Sequence, residues 1–256
     1  MRKETTKNDC FYKKQLKMVV YLNDMIYLCH RTIKKSIENM IKGVITGDIV
    51  GSTSIKTEHR ANLLNCLNTM REELQCVSPF KMEMFRGDSF QLLIDDPTAA
   101  LKVAILLRAG LIHHTPDKDH GMWDARISMG IGQVQFIADS IVTSDGEAFQ
   151  YSGRQLDTMN KKRIAIKTPW NDVNEELEVS TAFVDDIIKG WSGKQAGMIY
   201  LSLMNDMPKK NVAELIGTSV QNVRNVLSSA RELLIRKYID RYNTLITNHL
   251  SQTTTS

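Results

Sequence analysis

The chain has 256 residues, of which 42% are hydrophobic, and a formal net charge of +4 at pH 7. This size and composition predict one large or two smaller globular domains with a buried core. They exclude a membrane span, because no segment carries the roughly 18 uninterrupted apolar residues that a span needs. The four cysteines lack close metal-ligand spacing and indicate reduced thiols, which predicts a cytoplasmic protein.

Charge is distributed unevenly along the chain. Residues 1–39 hold nine Lys/Arg against four Asp/Glu, and residues 192–256 hold eight against four, so the middle of the chain is acidic. A basic C-terminal part suits a polyanion, whereas an acidic cleft suits divalent cations. The pattern therefore predicts two parts with different ligands.

The first 39 residues are polar and basic and show no clear period. Met40 is followed at once by the strand-like segment "KGVITGDIV". Two interpretations stay open. Either Met40 is the natural start and residues 1–39 are a misassigned extension, or they form a basic arm that folds on nucleic acid.

From residue 42 the predicted elements alternate. A strand over 42–50 is followed by a helix over 57–77, a hairpin over 80–94 that turns at Gly87-Asp88, and a helix over 97–114. A strand over 125–137, a helix after the loop that begins at residue 144, and a short strand over 163–168 complete the order. This β-α-β-β-α-β order is the split ferredoxin-like arrangement. We predict an α/β (α+β) domain over 40–172, a helical domain over 173–250 and a flexible tail over 251–256.

Two carboxylates fall at predicted neighbouring strand ends. Asp48 ends the first strand, and Asp88 lies at the hairpin turn. Two negative charges that lie close together repel unless a cation separates them, and hard oxygen ligands of this kind suit Mg²⁺. The small loop at Gly51, Ser52 and Thr53 offers backbone N–H groups for phosphates. The alternative is an ordinary strand-end cap and an ordinary hairpin turn.

The segments "ITGDIVGSTSI", "FRGDSFQLLI", "RISMGIGQV" and "DGEAFQYSGRQL" occur in the order of the bacterial SatD family, which is similar to class III nucleotidyl cyclases. The resemblance covers about residues 40–165. It implies a nucleotidyl cyclase-like sheet, with Asp48, Asp88 and the carbonyl of Ile49 as Mg²⁺ ligands and a nucleotide as ligand. It also implies that Arg154 stabilises phosphate in the transition state.

The sequence departs from the cyclase pattern at two positions. Met84 stands where cyclases place a base-reading lysine, and Gln150 stands where they place asparagine. Arg86, beside the hairpin turn, is a candidate to replace part of the missing base contact. Without the resemblance, Arg154 would be a surface arginine paired with Asp157 or Glu147.

The segment "KKNVAELIGTSVQNVRNVLSSARELLIRKY" predicts a helix-turn-helix. Gly217 supplies the tight turn, and Ser219 caps a second helix over 220–236. The pair resembles the fourth region of sigma factors and the C-terminal part of many response regulators. Amide and guanidinium groups bond base edges, and lysines hold phosphates. The predicted contacts to double-stranded DNA, within 209–237, are Ser219, Gln221, Asn222, Arg224, Asn225, Ser228, Lys209 and Lys210.

These features predict a cytoplasmic, SatD-like, DNA-binding transcriptional regulator that is gated by a nucleotide or metal at its cyclase-like domain. The alternative is an Mg²⁺-dependent nucleotidyl cyclase or nucleotidyl transferase. A third class is a scaffold whose helix pair binds protein. Cyclase-like sites often form across two subunits and helix-turn-helix proteins often pair, so a homodimer is expected.

Overall fold

The computed structural model describes residues 41–116, 121–204 and 206–252, which all belong to one compact unit, Met40–Thr255. The predicted segment 1–39 and the end of the predicted tail, 253–256, lie outside the described residues. The sheet has the strand order β2-β3-β1-β4-β5, with β6 paired to β4. Its strands are β1 (Ile41–Ile49), β2 (Phe80–Phe85), β3 (Ser89–Ile94), β4 (Ala125–Phe136), β5 (Asp145–Gly146) and β6 (Ile164–Lys167).

Eight α-helices lie within the described part of the chain. They are α1 (Thr57–Glu73), α2 (Ala100–His113), α3 (Glu147–Thr158), α4 (Asn171–Lys189), α5 (Gly193–Met204), α6 (Lys209–Leu215), α7 (Val220–Ser229) and α8 (Glu232–Gln252). The structure confirms the α+β fold class and the split order of strands and helices. Among these helices, none combines the length and the apolar content that crossing a bilayer requires.

β1 is the central strand, because it pairs antiparallel with β3 on one side and with β4 on the other. Side chains alternate between the two faces of a strand. Ile41, Ile45 and Ile49 therefore join the main core on one face. Val44 points to the other face and packs in a smaller cluster with residues of α3.

The main core continues from the sheet into the C-terminal helices. α2 is apolar on nearly all sides, as its sequence predicts, and packs against α5. Tyr242 of α8 donates a hydrogen bond to the carbonyl of Pro97 at 2.8 Å, which ties the last helix to the segment before α2. The predicted domain boundary after residue 172 falls in the first turn of α4, and the division into two domains stays a prediction.

The prediction of one helix over 220–236 is wrong. The helix α7 ends at Ser229, Arg231 takes the left-handed conformation with φ 61°, and α8 begins at Glu232. Trp191 donates its indole N–H to the carbonyl of Ala230 at 2.9 Å, and this carbonyl would accept an intrahelical bond in a continuous helix. The break therefore depends on a tertiary contact, which local sequence periodicity does not report.

A buried ionic cluster joins α2, the residue before β4, the residue before β6 and α4. The guanidinium of Arg108 has no exposed surface and donates two hydrogen bonds to Asp124 and one to Asp185, each at 2.8 Å. Arg163 adds a contact to Asp124 at 2.6 Å, and Lys189 lies 2.7 Å from Asp185. Burial raises the pKa of Asp124, but the hydrogen bonds and charges of Arg108 and Arg163 outweigh it and hold that pKa below its usual value. The cluster is thus stable only when both signs of charge are present.

We expect Arg108→Met to lower the free energy of unfolding by about 3–5 kcal/mol, because it leaves two carboxylates buried without their main partner. The matched control is Arg241→Met, which removes a bidentate but exposed pair with Glu176 and should cost far less, because solvent screens exposed pairs. Urea unfolding followed by circular dichroism measures both values. Equal losses in the two variants would contradict the role of burial.

Candidate functional site

The structure brings the two predicted carboxylates to one end of the sheet. Asp48 pairs across the strands with Ser89, the residue that follows Asp88. The backbone N–H of Ile49 donates to the carbonyl of Asp88 at 2.9 Å, so the end of β1 is joined to the hairpin turn. The backbone pairing therefore places Asp48 and Asp88 on adjoining segments at one end of the sheet, as predicted.

The loop after β1 lies against Asp88. Residues Ser52–Ser54 form a single turn of 3-10 helix, which Gly51 enters with a φ of 64°. The hydroxyl of Ser52 donates to one carboxylate oxygen of Asp88 at 2.7 Å, and the hydroxyl of Ser89 donates to the other at 3.2 Å. Ser52 is half-buried while Gly51 and Thr53 are exposed, so the loop presents small polar groups beside the carboxylate.

A groove of about 380 Å³ opens between this loop, α1 and the hairpin turn. Two arginines line it from different elements: Arg60 from the first turn of α1 and Arg86 from the turn before β3. Neither guanidinium forms an ion pair with any residue that the structure describes. Arg86 has a φ of 55° and precedes Gly87 with a φ of 80°, so the turn is left-handed at both positions. The groove is lined by Ser52, Thr53, Ile55, Arg60, Leu63, Leu64, Arg86, Gly87 and Asp88.

The carboxylate of Asp48 already has a partner, because Arg126 of β4 donates hydrogen bonds to it. Arg126 lies directly opposite Asp48 in the β1–β4 pairing. Its Nε donates to Asp48 Oδ1 at 2.9 Å, and its Nη2 contacts Oδ2. The hydrogen bonds from Arg126 to Asp48 raise the pKa of Arg126, although partial burial opposes this. Sequence reasoning missed Arg126, since only the strand register identifies it as the partner.

The donors at this end of the sheet suit a hard cation in chemical type. Carboxylate oxygens of Asp48 and Asp88 and the carbonyl of Ile49 are oxygen ligands of the kind that Mg²⁺ prefers. Both carboxylates already have partners, which are Arg126 for Asp48 and two serine hydroxyls for Asp88. Within 41–116, 121–204 and 206–252, no group of three or more His, Cys, Asp and Glu residues is arranged to hold a metal ion.

The helix α3 lies close over β1 and β4 on the face that carries Asp48. The hydroxyls of Thr46 and Ser152 lie 2.9 Å apart, and the side-chain amide of Gln91 donates to Thr46 at 3.1 Å. Gly130 makes this approach possible, because a Cβ there would lie 2.0 Å from the carbonyl oxygen of Ala148. Thr46 and Ser152, which are buried, and the half-buried Gln91 therefore form a polar group on the face of the sheet that carries Asp48.

Arg154 is exposed on α3 and is not brought to Asp48 and Asp88 through any described contact. Its Nη2 donates to Gln150 Oε1 at 3.4 Å, and it forms no ion pair with a described residue. Met84 is half-buried against the main core, so its thioether supplies no hydrogen-bond donor where cyclases place lysine. The role of Arg154 stays a prediction.

The helix pair α6–α7 has the predicted turn. Gly217 has a φ of 65°, and Ser219 caps α7 by accepting a hydrogen bond from the N–H of Asn222 at 3.1 Å, which confirms both predictions. Ile216, which directly precedes the turn, is 39% exposed. Lys209 lies 3.5 Å from Glu232, and Lys210 lies 3.9 Å from Glu214. Exposed polar side chains on α7 include Gln221, Arg224, Asn225 and Ser228.

No protein-family model and no curated protein sequence matches this chain, so the SatD resemblance stays a prediction. Similar solved structures include a bacterial light-regulated adenylyl cyclase, with a TM-score of 0.38, 14% identity and coverage of 50% of this chain and 75% of that chain. The active GGEEF domain of a diguanylate cyclase from Vibrio cholerae has a TM-score of 0.37 and 14% identity, with 54% and 89% covered. The adenylyl cyclase CyaB from P. aeruginosa has a TM-score of 0.36 and 20% identity, with 46% and 71% covered.

We expect Gly130→Ala to destabilise the fold by about 1–3 kcal/mol, because the new methyl group overlaps the backbone of α3. Gly153→Ala is the matched control on α3 itself, where an added Cβ meets no atom within 4 Å. That change should stabilise the protein by about 0.5–1 kcal/mol, since alanine favours a helix over glycine. Thermal unfolding of both variants tests the close packing, and equal stability of the two would contradict it.

Proposed function

We propose that this protein binds a nucleoside triphosphate together with a divalent cation at the end of the sheet where Asp48 and Asp88 lie. One observation carries the proposal. The groove beside Asp88 is lined by two guanidinium groups, Arg60 and Arg86, that form no ion pair with the described residues, and by a loop of small polar residues. Arginine pairs well with phosphate because its planar donors match phosphate oxygens.

The groove supports a polyphosphate better than a single small anion. Arg60 and Arg86 come from different elements, so their guanidinium groups can bind separate phosphates of one ligand. The loop adds the backbone N–H groups of Ser52 and Thr53, which donate no hydrogen bond to the described residues. Small loops of this type hold phosphate oxygens through their N–H groups.

The divalent cation is proposed to be held by Asp48, Asp88 and the carbonyl of Ile49. When bound, it would neutralise charge on the phosphate oxygens that it contacts. The chain's own contribution is one carboxylate, Asp88, in the wall of the groove and a second, Asp48, at the end of the neighbouring strand. Ser52 and Ser89 orient the Asp88 carboxylate through one hydrogen bond to each oxygen.

We expect little selection among nucleobases by residue 84, because a thioether cannot donate a hydrogen bond to a base edge. The protein should therefore bind the four ribonucleoside triphosphates with affinities within about fivefold of one another. Isothermal titration with each nucleotide and Mg²⁺ measures this. A preference of a hundredfold or more for one base would contradict the inferred role of Met84.

The proposed reaction class is nucleotidyl transfer, in which the ribose 3′ oxygen bonds to the α phosphorus and pyrophosphate leaves. Arg154 is exposed, and we propose that it acts at phosphate on the groove of a second copy, as expected for a homodimer. Pyrophosphate release with Mg²⁺ or Mn²⁺ tests turnover separately from binding. A protein that binds nucleotide and releases no pyrophosphate would be a nucleotide sensor.

We expect Asp88→Asn to weaken binding of the nucleotide–Mg²⁺ complex at least tenfold, because it removes a charged cation ligand. The double change Arg60→Gln/Arg86→Gln should weaken binding further by removing the phosphate partners. The control is Asp240→Asn, which removes one negative charge from the exposed face of α8. Isothermal titration should give this control the affinity of the unchanged protein. Equal binding by all the variants would overturn the proposed site.

Double-stranded DNA binding by α6–α7 is the second candidate function, supported by the capped turn and the exposed polar face of α7. If it holds, affinity falls steeply with salt, and Arg224→Ala costs about 1–3 kcal/mol on the preferred sequence. The control is Arg71→Ala, which removes an exposed arginine from α1, outside the helix pair. Selection from genomic fragments that recovers no preferred sequence would favour the scaffold alternative. Exposed apolar side chains near the helix pair agree with that alternative, namely Leu215, Ile216, Leu233 and Leu234.

A further inference from the structure

The positively charged guanidinium of Arg126 occupies the position beside the Asp48 carboxylate that a bound cation would take. The guanidinium spans both carboxylate oxygens, with Nε on Oδ1 at 2.9 Å and Nη2 on Oδ2. Asp48 is 22% exposed and Arg126 is 36% exposed, so solvent screens the pair only in part. A bidentate, partly buried arginine–carboxylate pair is stronger than an ordinary surface pair.

The same two oxygens are the ones that the proposed metal site needs. A divalent cation gains little binding free energy from a carboxylate whose charge and lone pairs are already paired with a guanidinium. The cation must therefore displace at least one arm of Arg126 or share the carboxylate with it. In both cases the like charges of the guanidinium and the metal oppose each other at close range.

The surroundings give Arg126 a second anionic partner. Asp157 lies on α3, which packs over β4, and its charge adds to that of Asp48 in raising the pKa of Arg126. Arg126 thus keeps a counter-charge when one of its arms leaves Asp48. The remaining arginines of the site, Arg60 and Arg86, line the groove on the side of Asp88 and do not contact Asp48.

We propose that Arg126 is the resident counter-cation of the proposed metal site, and that its guanidinium competes with a divalent cation for the Asp48 carboxylate. This inference rests on the proposed function, because it assigns the competition to the same Asp48 and Asp88. The consequence is a site of low affinity for free cations. Arg126 sets the cation concentration at which the site fills.

The test measures binding of Mn²⁺ alone to the full chain by electron paramagnetic resonance, without any nucleotide. We expect Arg126→Gln to bind Mn²⁺ about tenfold more tightly than the unchanged protein, because the competing charge is gone while the side-chain length is nearly kept. Arg71→Gln removes one positive charge from the exposed face of α1 and should leave the affinity within twofold. The double variant Arg126→Gln/Asp48→Asn should not show this tenfold increase in Mn²⁺ affinity.

The outcomes separate this inference from the proposed function. If the unchanged protein and Arg126→Gln bind Mn²⁺ equally, and Asp88→Asn abolishes both, the metal site stands and the competition is overturned. If neither protein binds Mn²⁺, the competition is overturned, whereas the proposed function is tested separately by titration of nucleotide together with Mg²⁺. Weaker binding by Arg126→Gln would show that Arg126 supports the site, which also overturns the competition.

A measurement on the unchanged protein keeps the inference testable if Arg126→Gln fails to fold. The Nε–H of Arg126, bonded to Asp48, should give a slowly exchanging signal in a nitrogen-15 NMR spectrum, assigned by its loss in Arg126→Lys. Saturating Mg²⁺ should shift this signal or bring it into fast exchange with water. A signal that stays unchanged while Mg²⁺ binds at Asp88 would overturn the competition.

Discussion

The register of β1 between β3 and β4 is the constraint on which the candidate site depends. It sets Asp48 opposite Ser89 on one side and Arg126 on the other. A shift of one residue would turn every side chain of β1 to the other face, so Asp48 would enter the main core. Ile41, Ile45 and Ile49 prevent such a shift, because they are fully or almost fully buried on that face. Apolar burial on one side of the strand thus fixes the chemistry on the other side.

The buried ionic cluster supports the same end of the sheet. Asp124 bonds Arg108 through its carboxylate, and its carbonyl accepts a hydrogen bond from the N–H of Val50 at 2.9 Å. Val50 opens the loop that carries Ser52 to Asp88. The chain of contacts from Asp185 in α4 through Arg108 and Asp124 therefore reaches the loop of the proposed site. The helices hold this loop through hydrogen bonds as well as through apolar packing.

Local signals in the sequence were enough for the elements and for several of their ends. The alternating β1, the hairpin turn and the Ser219 cap are each determined by residues within a few positions. The pairing of Arg126 with Asp48 joins residues 78 positions apart, and no local pattern indicates it. The end of α7 depends on Trp191, which lies 39 positions before the carbonyl that it binds. What the sequence did not predict is therefore mostly long-range pairing between side chains and strands.

Under the proposed function, the local charges give a physical reason for cation and nucleotide to bind together. The acidic middle of the chain predicts an affinity for free divalent cations, yet Asp48 already has Arg126, and Arg60 and Arg86 lie beside Asp88. A bound polyphosphate would add negative charge beside the arginines, and its oxygens would complete the coordination of the cation. Each ligand would then increase the affinity for the other by the same factor, because coupling between two bound ligands is reciprocal.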